Sequence, residues 1–292
     1  MALEIKNISY TYAPDTPFEH KALDDVTLTV KDGEFLAVAG HTGSGKSTLM
    51  QMLNGLLTPR AGEIIVDGVD INPKNTKNNF AAGQAAKTAR RKVGLVFQYP
   101  EQQLFEETVF ADVAFGARKQ GLNEDEVTLR VKDALKFVRL DFDKFRDKSP
   151  FNLSGGEMRR VAIAGIIAMR PKYLALDEPT AGLDPMSRLD LMKSVVRYQK
   201  ETKSAVILVA HSMSTIAEYA DRMAVFGGGK LLFCGKPKEV FAQREILNSV
   251  GLKPPPITRL INRLRSLGLN IAADAVKATE GAEAIARAVK KL

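Results

Sequence analysis

The chain has 292 residues, which is enough for one large domain or for one domain with a small appendage. Its composition, 45% hydrophobic and 26% charged, is typical of a globular protein and excludes a disordered chain. The net charge of +8 is uneven: residues 70–92 and 251–292 each carry +5, whereas the remainder sums to −2. The basic segments fit solvated surface loops, with a contact to anionic lipid headgroups as the alternative.

Three further features bear on location. The longest apolar run, residues 161–169, is far shorter than the ~20 residues that a membrane-spanning helix needs. The beginning, MALEIKNISYTY, alternates like a strand and lacks the apolar core of a secretory signal. Cys234 is the single cysteine, so no disulfide can form within the chain. We therefore expect a chain that stays in the cytosol unless a partner holds it at a membrane.

Elements of the first half are mostly short strands. Their alternation or apolar character predicts strands at residues 3–12, 22–30, 35–40, 63–67 and 93–98. A glycine-rich loop follows residue 40 and leads into a helix that reaches about residue 57. Residues 70–92 are polar and are predicted to be an irregular insertion with one helical turn.

In the second half, helices alternate with apolar strands. Helices are predicted at residues 109–140, 154–170 and 185–202, and strands at residues 173–178, 205–211, 222–226 and 230–233. This order predicts an α/β domain over residues 1–245 with parallel strands, and a helical subdomain at about residues 99–153. Residues 246–292, broken by prolines 254–256, are predicted to be a helical extension that serves docking or dimerisation.

One glycine-rich segment fits the pattern G-x-x-x-x-G-K-[ST] in full, between an apolar strand and a helix. Backbone N–H groups of such a loop surround a phosphate, and the helix N-terminus adds positive charge. We expect Lys46 to reach the β- and γ-phosphates, Ser47 to ligate Mg²⁺ and Thr48 to contact the α-phosphate. The phosphate loop comprises Gly40, His41, Thr42, Gly43, Ser44, Gly45, Lys46, Ser47 and Thr48.

An acidic pair, Asp177 and Glu178, ends the apolar strand YLALDE. Ligands of α/β sheets bind at the carboxyl ends of the strands. Asp177 is placed to hold Mg²⁺, and Glu178 to orient or deprotonate an attacking water.

A third motif, LSGGE, opens the helix at residue 154. Ser154, Gly155, Gly156 and Glu157 fit the capping box S-x-x-E, so Ser154 could serve only as a helix cap. The same helix N-terminus could bind an anion, and two glycines in its first turn favour close approach of a ligand over helix stability. The motif alone leaves both interpretations open.

Together these motifs resemble those of the ATP-binding cassette ATPases over residues 3–245. GHTGSGKS resembles their Walker A motif, YLALDE their Walker B motif, LSGGE their signature and residues 181–184 their D-loop. The resemblance implies a P-loop core with a mixed sheet, an antiparallel β part and a helical subdomain. It also implies ATP and Mg²⁺, with Gln98 as the Q-loop glutamine and Mg²⁺ ligand, His211 as the switch histidine and Tyr12 stacked on adenine. Tyr10 is the alternative for the last role.

The family further implies a head-to-tail dimer with two ATP molecules at the interface. Each ATP would lie between the Walker motifs of one subunit and the partner's Ser154 and Gly156. The last signature residue is usually Gln in this family, whereas this chain has Glu157, which preserves the capping box and adds a carboxylate that could weaken nucleotide binding.

A finer resemblance lies in TYAPDTPFEHKAL, GHTGSGKST and FQYPEQQLFEETV. These segments are similar to the ATPases of energy-coupling factor transporters, above all to the second member of the paired ATPases. That implies a peripheral subunit at the cytoplasmic face, paired with a sister ATPase in a complex with a transmembrane coupling protein and a substrate-binding membrane subunit. The coupling protein would contact residues 101–108, where Glu106 and Glu107 could pair with basic side chains; a solvated acidic loop is the alternative.

Two other functions remain open at this point. A cobalt or nickel importer ATPase has similar motifs. A cassette ATPase acting on nucleic acid or ribosomes is disfavoured, because residues 49–153 hold no sustained heptad pattern and the chain carries one cassette. We therefore expect no nucleic acid among the partners. A catalytically inactive subunit is disfavoured because Glu178 and His211 are both present.

Overall fold

The computed structural model describes residues 1–73, 80–271 and 274–290. Within these ranges the strands are β1 (Ala2–Tyr12), β2 (His20–Lys31), β3 (Phe35–Gly40), β4 (Ala61–Val66), β5 (Val69–Asp70), β6 (Val93–Val96), β7 (Tyr173–Asp177), β8 (Ala205–Val209), β9 (Arg222–Gly227) and β10 (Lys230–Gly235). The helices are α1 (Lys46–Leu53), α2 (Phe80–Arg90), α3 (Val109–Lys119), α4 (Glu124–Phe137), α5 (Phe142–Phe145), α6 (Gly155–Ala168), α7 (Pro185–Thr202), α8 (Met213–Tyr219), α9 (Pro237–Ala242), α10 (Arg244–Ser249), α11 (Pro256–Ser266) and α12 (Ala278–Val289). Short 3₁₀ turns cover Pro100–Gln103 and Pro150–Asn152.

The larger sheet has six strands in the order β10-β9-β3-β8-β7-β6. All neighbours are parallel except β10, which is antiparallel to β9. Strands β3, β7 and β8 are buried along their whole length, which explains why their sequences are apolar except for Asp177 at the end of β7. Their carboxyl ends meet at one edge of the sheet, so the loops after β3, β7 and β8 lie side by side there.

The smaller sheet is antiparallel, with four strands in the order β2-β1-β4-β5. Buried side chains of its inner face, such as Ile5, Leu28 and Ile64, share one hydrophobic cluster with Leu49 of α1 and Val38 of β3. Alternate side chains such as Leu3 and Ile5 of β1 or Leu28 and Val30 of β2 belong to this cluster, and the register shift after Ile5 interrupts the alternation. The α/β class with a mixed sheet and an antiparallel part is confirmed.

Helices α3, α4 and α6 pack on the other face of the larger sheet. Their buried residues include Val113, Val131 and Ile163, which belong to one cluster with Leu176 of β7 and Leu208 of β8. The single helical stretch predicted over residues 109–140 is divided, because Gly121 adopts a positive φ of 84° and Asn123 caps α4. The side chain of Asn123 and that of Glu126 form a capping box at this boundary.

The C-terminal segment forms the two helices predicted for it, α11 and α12. They enclose a small cluster of their own around Ile261, Ile271, Ala275 and Ala284. Lys277 donates a hydrogen bond of 3.2 Å to the carbonyl oxygen of Glu218 at the end of α8. Leu247 and Val250 instead pack in the cluster beneath β9, so the separate cluster of the extension begins after α10.

The interpretation of residues 70–92 as irregular is wrong for its second half, where α2 runs for 11 residues. Its alanines are strong helix formers, and Ala86 and Ala89 bury one face of the helix. Arg90 fixes its end by donating a 2.7 Å bond to the carbonyl oxygen of Ile71. The first part of the predicted insertion, residues 74–79, lies outside the described residues.

Several strands end earlier than predicted. β6 ends at Val96 rather than at residue 98, and β7 ends at Asp177 rather than at residue 178. Glu178 has a positive φ of 50°, which turns the chain out of the sheet directly after Asp177. The polar ends of these predicted strands therefore belong to the loops at the carboxyl edge.

Candidate functional site

The phosphate loop connects β3 to α1 at the carboxyl edge of the larger sheet. Gly45 caps α1 with a φ of 97°, and a Cβ at this position would collide with the carbonyl oxygen of Ala22. Both constraints exclude a side chain here. The glycine therefore lets the loop curl tightly enough for its N–H groups to face a phosphate.

Lys46 is held at the centre of this loop. Its Nζ donates to the carbonyl oxygens of Gly40 at 2.9 Å and His41 at 2.8 Å, and it lies 3.4 Å from Oγ of Ser44. Only 5% of the residue is exposed. Burial lowers the pKa of Lys46, while the nearby carboxylates of Glu178 and Asp177 oppose that shift. The ammonium thus lies where the loop closes on a phosphate, with two carboxylates facing it.

Asp177 ends β7 next to Ser47, to which its carboxylate is hydrogen-bonded. Burial raises the pKa of Asp177, and the neighbouring charge of Glu178 raises it further, against the opposing effect of Ser47. Its Oδ1 is buried and has no hydrogen-bond partner among the described residues. A buried carboxylate oxygen without a partner, beside a serine hydroxyl, offers the hard oxygen ligands that Mg²⁺ prefers. The donor set therefore fits a magnesium ion.

Two side chains from neighbouring loops meet the carboxylate of Glu178. Gln98, from the loop after β6, donates from Nε2 to Oε2 at 3.2 Å. His211, from the loop after β8, places Nε2 2.6 Å from Oε1. Since an ionised carboxylate only accepts hydrogen bonds, the ring proton of His211 belongs on Nε2. The backbone N–H of Glu178 donates to the carbonyl oxygen of Val209 at 3.2 Å, which fixes the start of its loop.

Tyr12 reaches the other side of the phosphate loop. Its hydroxyl is 3.2 Å from Oγ1 of Thr48, and 37% of the residue is exposed. The ring of Tyr10 packs edge-on against that of Tyr12, with centroids 4.8 Å apart, and is half-buried. Of the two tyrosines, Tyr12 is therefore the more exposed and the one whose hydroxyl contacts the loop.

The signature segment, residues 154–157, begins α6. Ser154 is the N-cap, and a capping box with Glu157 forms as its sequence pattern predicts. No neighbouring atom lies within 4 Å of where a Cβ on Gly155 or Gly156 would be. The helix end thus presents an open surface.

The structure brings one group of the predicted site residues together and leaves the other apart. The phosphate loop, Asp177, Glu178, Gln98 and His211 converge at the carboxyl edge of the larger sheet. Among the described residues, the hydrogen bonds of the signature segment stay within that segment and its own helix. The chain alone therefore provides a phosphate and carboxylate site without the signature.

A family model described as ABC transporter matches residues 23–181. The chain belongs to this family. It is 53% identical to the energy-coupling factor transporter ATP-binding protein EcfA2 of Clostridium acetobutylicum, covering 94% of this chain and 93% of that one. It is 48% identical to the protein of the same name from Clostridium perfringens, with 99% of each chain covered. These matches confirm the resemblance to the energy-coupling factor ATPases.

Solved structures agree with this assignment. CbiO1 from Clostridium perfringens, described as part of the ABC transporter complex CbiONQ, has a TM-score of 0.71 at 39% identity over 89% of this chain and 98% of that one. The dimeric ATP-binding cassette MJ0796, bound to ADP and phosphate, has a TM-score of 0.70 at 28% identity over 80% of this chain and 98% of that one. The chain is therefore an ABC-type ATPase with the cassette fold, and ATP is its substrate.

The ABC ATPase also contains a buried ion pair that its sequence did not reveal. Arg159 of α6 is 5% exposed and binds Glu101 through two bonds, of 2.9 Å and 2.8 Å. Its remaining N–H groups donate to the carbonyl oxygens of Pro179 and Ala181. Burial by itself would raise the pKa of Glu101, but the guanidinium outweighs burial and the pKa is lowered. A single arginine within a helix carries no sequence signal for such a role.

Arg159 thus joins the predicted coupling segment, residues 101–108, to the loop that follows Glu178. Next to it, a groove of about 400 Å³ is lined by apolar side chains that include Leu104, Phe105, Phe115 and Met169. Phe105 is 58% exposed, and its ring packs edge-on against Phe115. Glu107 is exposed and Glu106 half-buried on the same segment.

In the part of the chain that the structure describes, neither a membrane span nor a further metal site is found. Across residues 1–73, 80–271 and 274–290, no helix combines the length and apolar character required to span a bilayer. The same described ranges hold no group of three or more His, Cys, Asp or Glu side chains that could bind a metal. A magnesium ion at Asp177 would thus need ligands from the nucleotide as well.

Proposed function

We propose that this chain is the ATP-hydrolysing subunit of an energy-coupling factor type importer of vitamins or other micronutrients. The observation that carries the proposal is the meeting of Gln98 and His211 at the carboxylate of Glu178, beside the phosphate loop. A nucleotide-binding loop alone would need none of these three side chains. The 53% identity to an energy-coupling factor ATP-binding protein supports the transporter type.

The chain's own residues suffice for binding and orienting the nucleotide. Backbone N–H groups of the phosphate loop and Nζ of Lys46 would bind the phosphates, and Tyr12 would stack on the adenine. Asp177, Ser47 and the amide oxygen of Gln98 would hold Mg²⁺, since Nε2 of Gln98 is engaged by Glu178. When bound, Mg²⁺ neutralises charge on the phosphates. Asp177, Ser47 and Gln98 would hold the positive charge of the ion close to Lys46.

Hydrolysis needs a water aligned with the γ-phosphate. Glu178 would accept a proton from this water or orient it, and His211 would contact the γ-phosphate. His211 donates to Glu178 at 2.6 Å, so its Nε2 proton would reach a phosphate oxygen only after this bond breaks, which would also free the carboxylate for the water. General-base assistance of this kind typically contributes about 10²–10⁴-fold to a rate.

The exposed signature segment supports a composite site. Ser154 and Gly156 would complete the ATP site of a sister ATPase, and that sister's signature would complete the site of this chain. Hydrolysis would then depend on dimer closure, which couples chemistry to motion. Within this arrangement, the extension that contains α11 and α12 would help to hold the two ATPases together.

The membrane partners would lie against the segment 101–108. Its apolar groove with Phe105 and Phe115 suits a helix of a transmembrane coupling protein, and Glu106 and Glu107 suit basic side chains on it. A substrate-binding membrane subunit would complete the complex and select the cargo. The chain would thus be a peripheral subunit at the cytoplasmic face of the membrane. An ATPase of a cobalt or nickel importer, in which similar motifs are expected, is the second candidate.

The test is ATP hydrolysis by the purified chain alone, with its sister ATPase, and in the membrane complex. We expect turnover to require the partners, and Glu178→Gln to bind ATP while losing turnover at its own site. An equal rate for the isolated chain at every dilution, unaffected by Glu178→Gln, would contradict both the composite site and the role of Glu178.

A further inference from the structure

Glu157 binds Ser154 more completely than helix capping requires. The backbone N–H and the hydroxyl of Ser154 both donate to the same carboxylate oxygen, Oε2, at 2.9 Å and 2.7 Å. The N–H of Glu157 donates back to Oγ of Ser154 at 3.4 Å. A serine hydroxyl has one proton, so Ser154 can donate to another acceptor only after leaving Glu157.

The capping box of α4 offers a comparison within the same chain. There Glu126 accepts from the backbone N–H of Asn123 at 3.2 Å, and the Asn123 side chain accepts from the N–H of Glu126 at 2.9 Å. That capping box supplies acceptors for the free N–H groups at the helix end, and no side chain has to donate a proton to Glu126. The short 2.7 Å bond in the signature segment is therefore additional to capping.

The negative charge of Glu157 acts in addition to its hydrogen bond with the hydroxyl of Ser154. Hydrogen bonds from the hydroxyl and the backbone of Ser154 lower the pKa of Glu157, and Lys148 and Lys144 lower it further. The side chain is thus ionised at neutral pH, and it lies in the first turn of α6, where an incoming anion would be attracted by the helix dipole. Its negative charge cancels part of that attraction.

We propose that Glu157 weakens one of the two ATP sites of the dimer. The affected site is the one that combines the sister's phosphate loop with this chain's signature segment. There the carboxylate retains the proton of Ser154 and repels the γ-phosphate. This inference rests on the composite site described under the proposed function.

Glu157→Gln isolates the charge, because the amide oxygen of glutamine can accept the same two bonds from Ser154. The helix cap survives, whereas the repulsion is removed. A unit charge about 5 Å from a phosphate in a partly exposed site changes affinity by about tenfold or more. Glu126→Gln makes the same exchange in the capping box of α4 and serves as the matched control.

The experiment uses the membrane complex with one ATP site inactivated at a time. With Glu178→Gln in this chain, the remaining turnover comes from the site that contains Glu157. In this background, we expect Glu157→Gln to lower the KM for ATP about tenfold. With the catalytic glutamate of the sister replaced instead, Glu157→Gln should leave the KM unchanged. Glu126→Gln should leave it unchanged in both backgrounds.

The dependence of the KM for ATP on ionic strength distinguishes electrostatic repulsion by Glu157 from a purely structural role. Salt screens the repulsion, so the difference in KM between the Glu157 chain and Glu157→Gln should shrink as salt is raised. An unchanged or increased KM for Glu157→Gln in the first background would overturn the inference. Failure of Glu178→Gln to remove any turnover would instead overturn the proposed function, so the two failures are distinguishable.

Discussion

Nε2 of His211 lies 2.6 Å from Oε1 of Glu178, although the two residues follow different strands. β8 ends at Val209 and β7 at Asp177, and the parallel pairing of these strands aligns the two loops. The backbone N–H of Glu178 donates to the carbonyl oxygen of Val209, which ties the loops together at their origin. Sheet pairing thus brings a proton donor and a carboxylate into contact.

This contact predicts the effect of His211→Ala. The variant should lower kcat at its own site by about 10²-fold or more, with a smaller change in the KM for ATP, because the proposed role of His211 is to contact the reacting phosphate and Glu178. Steady-state phosphate release in the membrane complex measures both constants. His20→Ala, at an exposed histidine of β2, is the control and should match the unsubstituted chain. Equal kcat values for the two variants would exclude His211 from the reaction.

Arg159 gives a prediction about coupling. Arg159→Met leaves the carboxylate of Glu101 without its bidentate partner and frees the carbonyl oxygens of Pro179 and Ala181. Breaking a buried pair of this kind typically costs about 3–5 kcal/mol, and the 22% exposure of the Glu101 side chain places the expected loss at the lower end. Urea denaturation of the isolated chain measures this loss.

Stimulation of ATP hydrolysis by the membrane partners should also fall in Arg159→Met, because the segment 101–108 loses its link to the loop after Glu178. Arg159→Lys should not restore stimulation, since an ammonium cannot reproduce the two parallel bonds. Arg160→Met, at the next position of α6, is the control. Full stimulation of ATP hydrolysis in Arg159→Met would show that the ion pair between Arg159 and Glu101 does not contribute to coupling.

The segment 101–108 itself predicts a loss of transport. Reversing both charges, Glu106→Lys with Glu107→Lys, should uncouple transport while ATP binding survives, because these side chains lie beside the apolar groove and away from the phosphate loop. Uptake and co-purification of the membrane partners measure the effect. Asp125→Lys with Glu201→Lys, at two other exposed positions, is the matched control. Unchanged assembly and uptake in the variant with Glu106→Lys and Glu107→Lys would exclude the segment 101–108 as the surface that contacts the coupling protein.

Asp67 predicts how stability depends on pH. Burial would raise its pKa, but bonds from Lys172, Lys92 and the Tyr173 hydroxyl lower it to about 2. A depressed pKa stabilises the folded state fully above the unfolded value of about 3.9, and the gain is lost as pH falls towards 2. The difference corresponds to about 2.5 kcal/mol at neutral pH.

Asp67→Asn should therefore lower the free energy of unfolding by about 2.5 kcal/mol at pH 7 and at pH 5, and by progressively less below pH 4. Asn also tolerates the positive φ of 51° found at this position, so the backbone is not strained by the change. Urea denaturation at several pH values measures the difference. Asp147→Asn, at a side chain that is 80% exposed, should show almost none. A difference independent of pH would exclude the ion pairs as its cause.

Local motifs made much of the site predictable. The phosphate loop and the capping box of Ser154 and Glu157 are defined by residues close in sequence, so their geometry follows from the pattern. The meeting of Gln98, Glu178 and His211 depends on strand order, for which the family resemblance supplied the expectation. The pairing of Arg159 with Glu101 spans 58 positions and has no local pattern.

The error at α2 has a different origin. Its sequence, FAAGQAAKTAR, contains few apolar residues beyond alanine, so the search for a hydrophobic stripe missed it. Alanine is both the strongest helix former and small enough to be buried at Ala86 and Ala89. Counting helix propensity over the window would have favoured a helix.

Strand β7 is anchored at both ends. The hydroxyl of its first residue, Tyr173, lies 2.8 Å from Oδ1 of Asp67 and 3.0 Å from Oδ1 of Asp32, and β6 and β8 flank the strand along its length. Its last residue, Asp177, is followed by Glu178. Amide hydrogens of this strand should therefore be among the slowest of the chain to exchange with deuterium. Asp177 and Glu178 therefore lie at the end of a strand that is expected to stay fixed, and in the proposed dimer the signature helix of the second subunit would close against it.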